Sequence, residues 1–367
     1  MKFSCERAVL AEAVATAGHA VLPRSSNPVL EGLLLSLRGD QLSLTGYDGE
    51  TGIRCLLSVA GLSDGDILLP CSTLGDILRK LPEGTVRIEV AEERVRISSG
   101  EAEFVILGLS AEGFPQVDFS RSGLQVELQQ KLLRSLILQT VFAVSQSDSK
   151  PVHTGCLFHL ESGQIEVVGV DGYRLALRRE KLEGSEAEAR FVVPGRTLQD
   201  ISRILGESEL PVSVFVGERS VLFETENISV VTRTIEGEFL NYRSSIPADG
   251  PISCRVEVKG FLDCLERASL LISERQRSPV RIVFRDREAA FSCSTPLGRV
   301  TDKLPISCEG GTVEIGFNNR FLQEAFKNCG QSEVKLELAN NLSPMVIRPV
   351  EGEAFTYLVL PVRLKSE

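Results

Sequence analysis

One helical segment occurs three times in this 367-residue chain at a fixed interval, and that repetition constrains the fold more than any other feature. PCSTLGDILRKL from Pro70, PGRTLQDISRIL from Pro194 and GFNNRFLQEAFKNC from Gly316 align so that Leu74, Leu198 and Leu322 stand 124 residues apart. The acidic residue two places on recurs as Asp76, Asp200 and Glu324. Self-similarity at a constant period marks a duplicated structural unit.

Two further elements keep the period. LTGYDGETG around Asp48 and VVGVDGYRL around Asp171 each place a glycine two residues before an Asp-Gly, 123 residues apart. A short strand leading into an amphipathic helix opens each unit: KFSCERAVLAEAVATA, LQVELQQKLLRSLILQTV and CRVEVKGFLDCLERASLL. Between the helices the pattern alternates with period two, as in VRIEVAEERVRISSG and VSVFVGERSVLFET, which is the signature of half-buried strands and hairpins. The expected fold is α+β: three modules, each with two helices packed on antiparallel sheets. Polar connectors at Ser-Arg-Ser-Gly and Pro-Ala-Asp-Gly-Pro put the boundaries at residues 1–122, 123–250 and 251–367.

The helices carry a second message. In the first helix of the second module, Leu132, Leu133, Leu136, Ile137 and Val141 form an apolar stripe, with Lys131 and Arg134 opposite. The six expected helices hold ten basic residues (Arg79, Lys80, Lys131, Arg134, Arg196, Arg203, Lys259, Arg267, Arg320 and Lys327) against six acidic ones, in a chain whose net charge is −10. On one helix such charge is an ordinary solvated face. Its recurrence in all three modules points to cationic islands in an acidic protein, a pattern that attracts a phosphate backbone without reading its sequence.

Enzyme signatures are missing: there is no P-loop, G-x-S-x-G, H-E-x-x-H or G-x-G-x-x-G before a helix. His153 and His159 lack carboxylates or cysteines at metal spacing, and Asp48 and Asp171 repeat at the module period as turn residues do. Nine cysteines, an odd number without any C-x-x-C, predict free buried thiols in a reducing cytoplasm rather than a disulfide framework or zinc site. No stretch approaches the roughly 18 apolar residues of a membrane span. The expectation is therefore a cytoplasmic binding protein, not an enzyme, with no cofactor, no metal and no membrane.

The three modules, the opening MKFSCERAVLAEAV, the string VDGYRLALRRE and the ending TYLVLPVRL together resemble the bacterial sliding clamp, the beta subunit of the replicative DNA polymerase. The resemblance covers the whole chain and implies a head-to-tail homodimer, each chain forming half of a closed ring around duplex DNA. It also implies tethering of the replicative DNA polymerase, the clamp loader ATPase and other proteins through short peptides in which a glutamine precedes leucine and phenylalanine. By family position the peptide groove comprises His153, Val170, Gly172, Tyr173, Arg174, Leu175, Leu240, Leu358, Leu360, Pro361 and Val362. Without that resemblance Leu175 and Leu360 read as core and Gly172 as a turn residue. Leu240, Ser244 and His153 depart from the family's usual proline, arginine and leucine, which predicts a slightly different peptide preference. Lys365, Ser366 and Glu367 extend past the usual end. Duplex contacts by family position are Arg24, Lys150, Arg196 and Arg203, joined from the face analysis by Arg79, Lys80, Lys131 and Arg134. Phe104 is expected to meet Leu270 and Leu271 of the partner subunit. Two other readings share the fold: a clamp paralogue specialised for repair or inhibitor escape, and a repeat scaffold that binds proteins but not DNA.

Overall fold

The computed structural model describes residues 1–147, 149–184, 186–272 and 278–364. Lys365, Ser366 and Glu367, which extend past the family's usual end, lie outside the described residues. The helices are α1 (Arg7–Gly18), α2 (Cys71–Lys80), α3 (Gln130–Leu138), α4 (Gly195–Ile204), α5 (Tyr242–Ser245), α6 (Val258–Ser269) and α7 (Asn319–Asn328). Six match the expected pair per module. Leu74, Leu198 and Leu322, the residues that define the period, are each fully buried, which explains why the repeat keeps them.

Two details differ from the periodic reading. The stripe of α3 was expected to run to Val141, but the helix stops at Leu138. Thr140, fully buried, turns its hydroxyl back to donate to the carbonyls of Leu136 (2.7 Å) and Ile137 (3.2 Å), and its backbone leaves the helical region. The four-residue α5 is too short to show a period.

Among the described residues the strands form four antiparallel sheets. In one, Ala60–Ser63, Lys2–Glu6, Thr85–Ala91, Arg94–Ser99 and Ala102–Leu107 lie side by side. Two others run through module boundaries. Thr51–Ser58 of the first module pairs with Ile228–Arg233 of the second, making an eight-stranded sheet. Arg174–Lys181 of the second pairs with Phe355–Val359 of the third, making a nine-stranded one. The fourth orders Gly298–Pro305, Glu288–Thr295, Val280–Arg285 and Val313–Phe317. The chain accordingly divides into two compact units, Met1–Leu132 with Arg203–Thr234, and Leu133–Ser202 with Ile235–Glu367. In the first, α1 packs on α2 and on strand Thr51–Ser58; in the second, α6 packs on α7.

One expectation about the cysteines is corrected. Cys254 and Cys308 face each other in register on antiparallel strands and are joined by a disulfide. Cross-strand register supplied what spacing could not reveal, since the two lie 54 residues apart. The other seven are free, and burial pushes the Cys156 thiol up to about 12.

Candidate functional site

The Asp171–Gly172 turn organises one end of the second unit. Asp171 Oδ1 accepts from the backbone amides of Tyr173 (2.9 Å) and Arg174 (3.1 Å), and Gly172 sits at φ +88°. A side chain there would meet open space, so the backbone angle rather than crowding selects glycine. The turn launches strand Arg174–Lys181, whose Leu175 pairs with Leu358. Leu360 continues the partner strand, its amide donating to the Tyr173 carbonyl at 2.9 Å.

Val152, Val170, Leu175 and Leu358 are buried in one apolar cluster with Phe239 and Tyr242, and Leu360 packs partly buried against it. Leu240 and Val362 remain exposed, and Pro361 is half-buried. His153 stands edge-on to Phe239 with centroids 5.5 Å apart, beside a depression of about 560 Å³ lined also by Lys150, Val152 and Leu240. Burial and the nearby Lys150 hold its imidazole below the usual histidine range. Tyr173 is 65% exposed, one face stacked on Phe321. Arg174 differs from its neighbours: it is buried, paired with Asp171 (2.9 Å) and Glu324, and lies 4.4 Å over the Phe321 ring. It fastens the turn to α7.

A polar cluster behind the apolar one escaped the sequence reading. Glu166, 4% exposed, accepts from the Tyr242 hydroxyl (2.5 Å) and from Arg243 and Arg179 (both 2.8 Å). Burial pushes its carboxyl up, but these donors outweigh burial and leave it below the usual carboxylate range. His159 completes the cluster, its Nδ1 2.8 Å from the Tyr242 hydroxyl. The network pins Tyr242, which directly follows the segment 236–241 that walls the depression. Its one sequence signal was a carboxylate inside the apolar run QIEVVGV, which burial obliges to find partners.

The expected duplex contacts are mostly at the surface. In the first unit Arg24, Arg79, Lys80, Lys131 and Arg203 are exposed; in the second Lys150 and Arg196 are exposed, while Arg134 is half-buried with Nε on the Ser202 carbonyl (3.1 Å). Several helical cations have carboxylate partners: Arg79 with Asp76, Arg267 with Asp302, Lys327 with Glu266 and Arg320 with Glu324. The unneutralised charge is thus smaller than the bare count of ten.

Among the described residues, strand Ala102–Leu107 ends its sheet with one edge unpaired, and it carries Phe104, Val105 and Leu107, exposed by 39%, 57% and 68%. Leu270, just past α6, is 81% exposed, and Leu271 is half-buried. Large exposed apolar residues on an open edge are an aggregation hazard unless another chain covers them. Among the described residues no group of three or more His, Cys, Asp or Glu is arranged to hold a metal, and no helix is long and apolar enough to cross a membrane.

Comparison with known proteins accounts for nearly the whole chain. Residues 1–118, 127–241 and 243–363 match, in order, the N-terminal, central and C-terminal domains of the DNA polymerase III beta subunit. The beta sliding clamp of Bacillus subtilis (strain 168) is 31% identical over 376 residues, covering 99% of this chain and 100% of that protein. A crystal structure of the DNA polymerase sliding clamp from Bacillus subtilis superposes with a TM-score of 0.94 at 31% identity, covering 100% of both chains. That of the beta subunit from DNA polymerase of Streptococcus pyogenes gives 0.93 at 26%, covering 99% of this chain and 100% of that one.

Proposed function

Because this chain belongs to the DNA polymerase III beta subunit family, we propose that it is a sliding clamp that closes head to tail with a second copy, encircles duplex DNA and tethers DNA-processing proteins. The observation that carries this reading is the match of all three modules, in order and over the full length of the relatives. In this reading its three modules span 1–122, 123–250 and 251–367. It acts by binding and not by catalysis, in the cytoplasm, and its partners are duplex DNA, a polymerase, a loader ATPase and other bearers of short docking peptides.

Topology and weak charge share the DNA work. Exposed cations such as Arg24, Lys80, Lys150, Arg196 and Arg203 attract phosphates without selecting bases, which permits sliding, while an acidic remainder discourages binding elsewhere. The apolar cluster around Leu175, Leu358 and Leu360, rimmed by Leu240, Pro361 and Val362, receives the aliphatic and aromatic anchors of a partner peptide. Tyr173 and His153 flank it, Gly172 shapes its turn, and Arg174 holds that turn in place. The open edge at Phe104 meets Leu270 and Leu271 of the partner subunit, which also removes the hazard of that edge.

The decisive experiment loads the protein onto nicked circular DNA with a clamp-loading ATPase and then linearises the circle. A clamp leaves by sliding off the ends. Retention after cutting would indicate ordinary affinity, and failure to load would favour a protein-binding scaffold.

A further inference from the structure

The partner groove has a counterpart in the first unit. Asp48 forms the same turn as Asp171: its Oδ1 accepts from the amides of Glu50 (3.0 Å) and Thr51 (2.7 Å), with Gly49 at φ +102°. The short 3₁₀ turn Pro28–Glu31 precedes it as Pro151–Thr154 precedes Asp171, both 123 residues apart in sequence. Gly52 stands where Leu175 stands and pairs with Val231 across the module boundary, as Leu175 pairs with Leu358. The scaffold is the same, but it is covered.

The cover is the chain's own connector. A Cβ built on Gly52 would lie 2.5 Å from Val117 Cγ1, 3.2 Å from Val231 Cγ1 of the neighbouring strand and 3.5 Å from Phe119 Cζ, so Val117, flanked by Val231 and Phe119, fills the space that the absent side chain leaves. The Arg54 guanidinium lies 4.3 Å over the Phe119 ring, and Arg121 pairs with Glu224 at 2.6 Å. Residues 115–119 have no regular secondary structure, and among the described residues they make no backbone hydrogen bond to the sheet. Val117 and Phe119 are only half-buried. An extended segment held by alternate side chains in an apolar recess is how a docked peptide binds.

We propose that Val117–Phe119 is a self-docked peptide masking a second docking groove, whose ligand class is an extended peptide with an aliphatic and an aromatic side chain two positions apart. The comparison rests on the partner-groove reading above. A tethered segment has an effective concentration of about millimolar, so it excludes free peptides of ordinary affinity and leaves one open groove per chain.

The probe is a synthetic peptide of residues 113–121, titrated into the full-length protein. In a Leu175→Ala/Leu360→Ala background, adding Val117→Ala and Phe119→Ala should create one site per chain, at least about tenfold tighter than with the connector intact. Equal binding in both proteins overturns the proposal. If the quadruple variant does not melt cooperatively, the methyl and ring resonances of Val117 and Phe119 in the wild-type chain decide instead. Millimolar probe should displace both side chains from the recess and shift those resonances, and unchanged resonances overturn the proposal. The underlying groove reading fails separately, if Leu175→Ala/Leu360→Ala leaves the affinity of a glutamine-leucine-phenylalanine peptide unchanged in the presence of an intact connector.

Discussion

Glu166 shows how one buried charge supports a binding surface it does not touch. Removing one member of a buried ion pair leaves its partners uncompensated, so Glu166→Gln should lower stability by about 3 kcal/mol at neutral pH, read as a shift in the urea midpoint. Its carboxyl is held below the usual range in the folded state. The associated stability is therefore present above the unfolded carboxylate pKa and lost as pH falls through the folded one. Below about pH 4.5 the wild type should lose this advantage, and the gap between wild type and Glu166→Gln should narrow, as acid titration of the denaturation midpoint will show. Leu175 and Leu360 illustrate what a sequence leaves open. The core reading of Leu175 fits its 3% exposure, and the proposed groove role rests on its place in the cluster whose Val152 and Phe239 line the depression. Leu175→Ala should thus cost about 2–5 kcal/mol of folding stability besides weakening peptide binding. Leu360, only partly buried, gives the cleaner test: Leu360→Ala should weaken a partner peptide by about 1–3 kcal/mol with little change in melting temperature, measured by calorimetric titration.

Among the elements, the repeated helices were legible because each must bury the same apolar stripe, and Leu74, Leu198 and Leu322 keep register for that reason. Helix ends were less so. Where α3 stops is decided by the Thr140 hydroxyl bonding back to the preceding turn, a local competition that hydrophobic spacing does not record. The family resemblance pointed to Phe104 as an interface residue, whereas the exposure of Val105 and Leu107 beside it on the edge strand Ala102–Leu107 required the fold. Placing charge on that edge tests its role. Phe104→Lys with Val105→Lys should shift the protein to monomer in sedimentation equilibrium while its melting temperature falls little, because neither side chain is buried within the chain. A dimer that persists at the same concentrations would remove the edge from the interface.

For the whole molecule, the sequence repeat announced three equivalent modules but was silent on which edges join. Duplication repeats the joint as well as the modules: Thr51–Ser58 pairs with Ile228–Arg233 as Arg174–Lys181 pairs with Phe355–Val359, but strand alternation alone does not say which edges meet. Cooperativity should follow the sheets and not the repeats. Strands Leu124–Gln129 and Pro211–Val216 should share hydrogen-exchange protection with the strands of the first module in their sheet, rather than with Gly155–Glu161 of their own module. Protection that divides at residues 122 and 250 would refute this.

Those shared sheets bear on ancestry as much as on stability. A copy cut out at residue 122 would keep Thr51–Ser58 paired to Gln41–Tyr47 but lose Ile228–Arg233 on its other edge, leaving a row of amides and carbonyls to seek another strand. Units that arose as interchangeable duplicates have become obligate neighbours, and fragments made at the repeat boundaries should collect in inclusion bodies rather than survive as miniature versions of the parent.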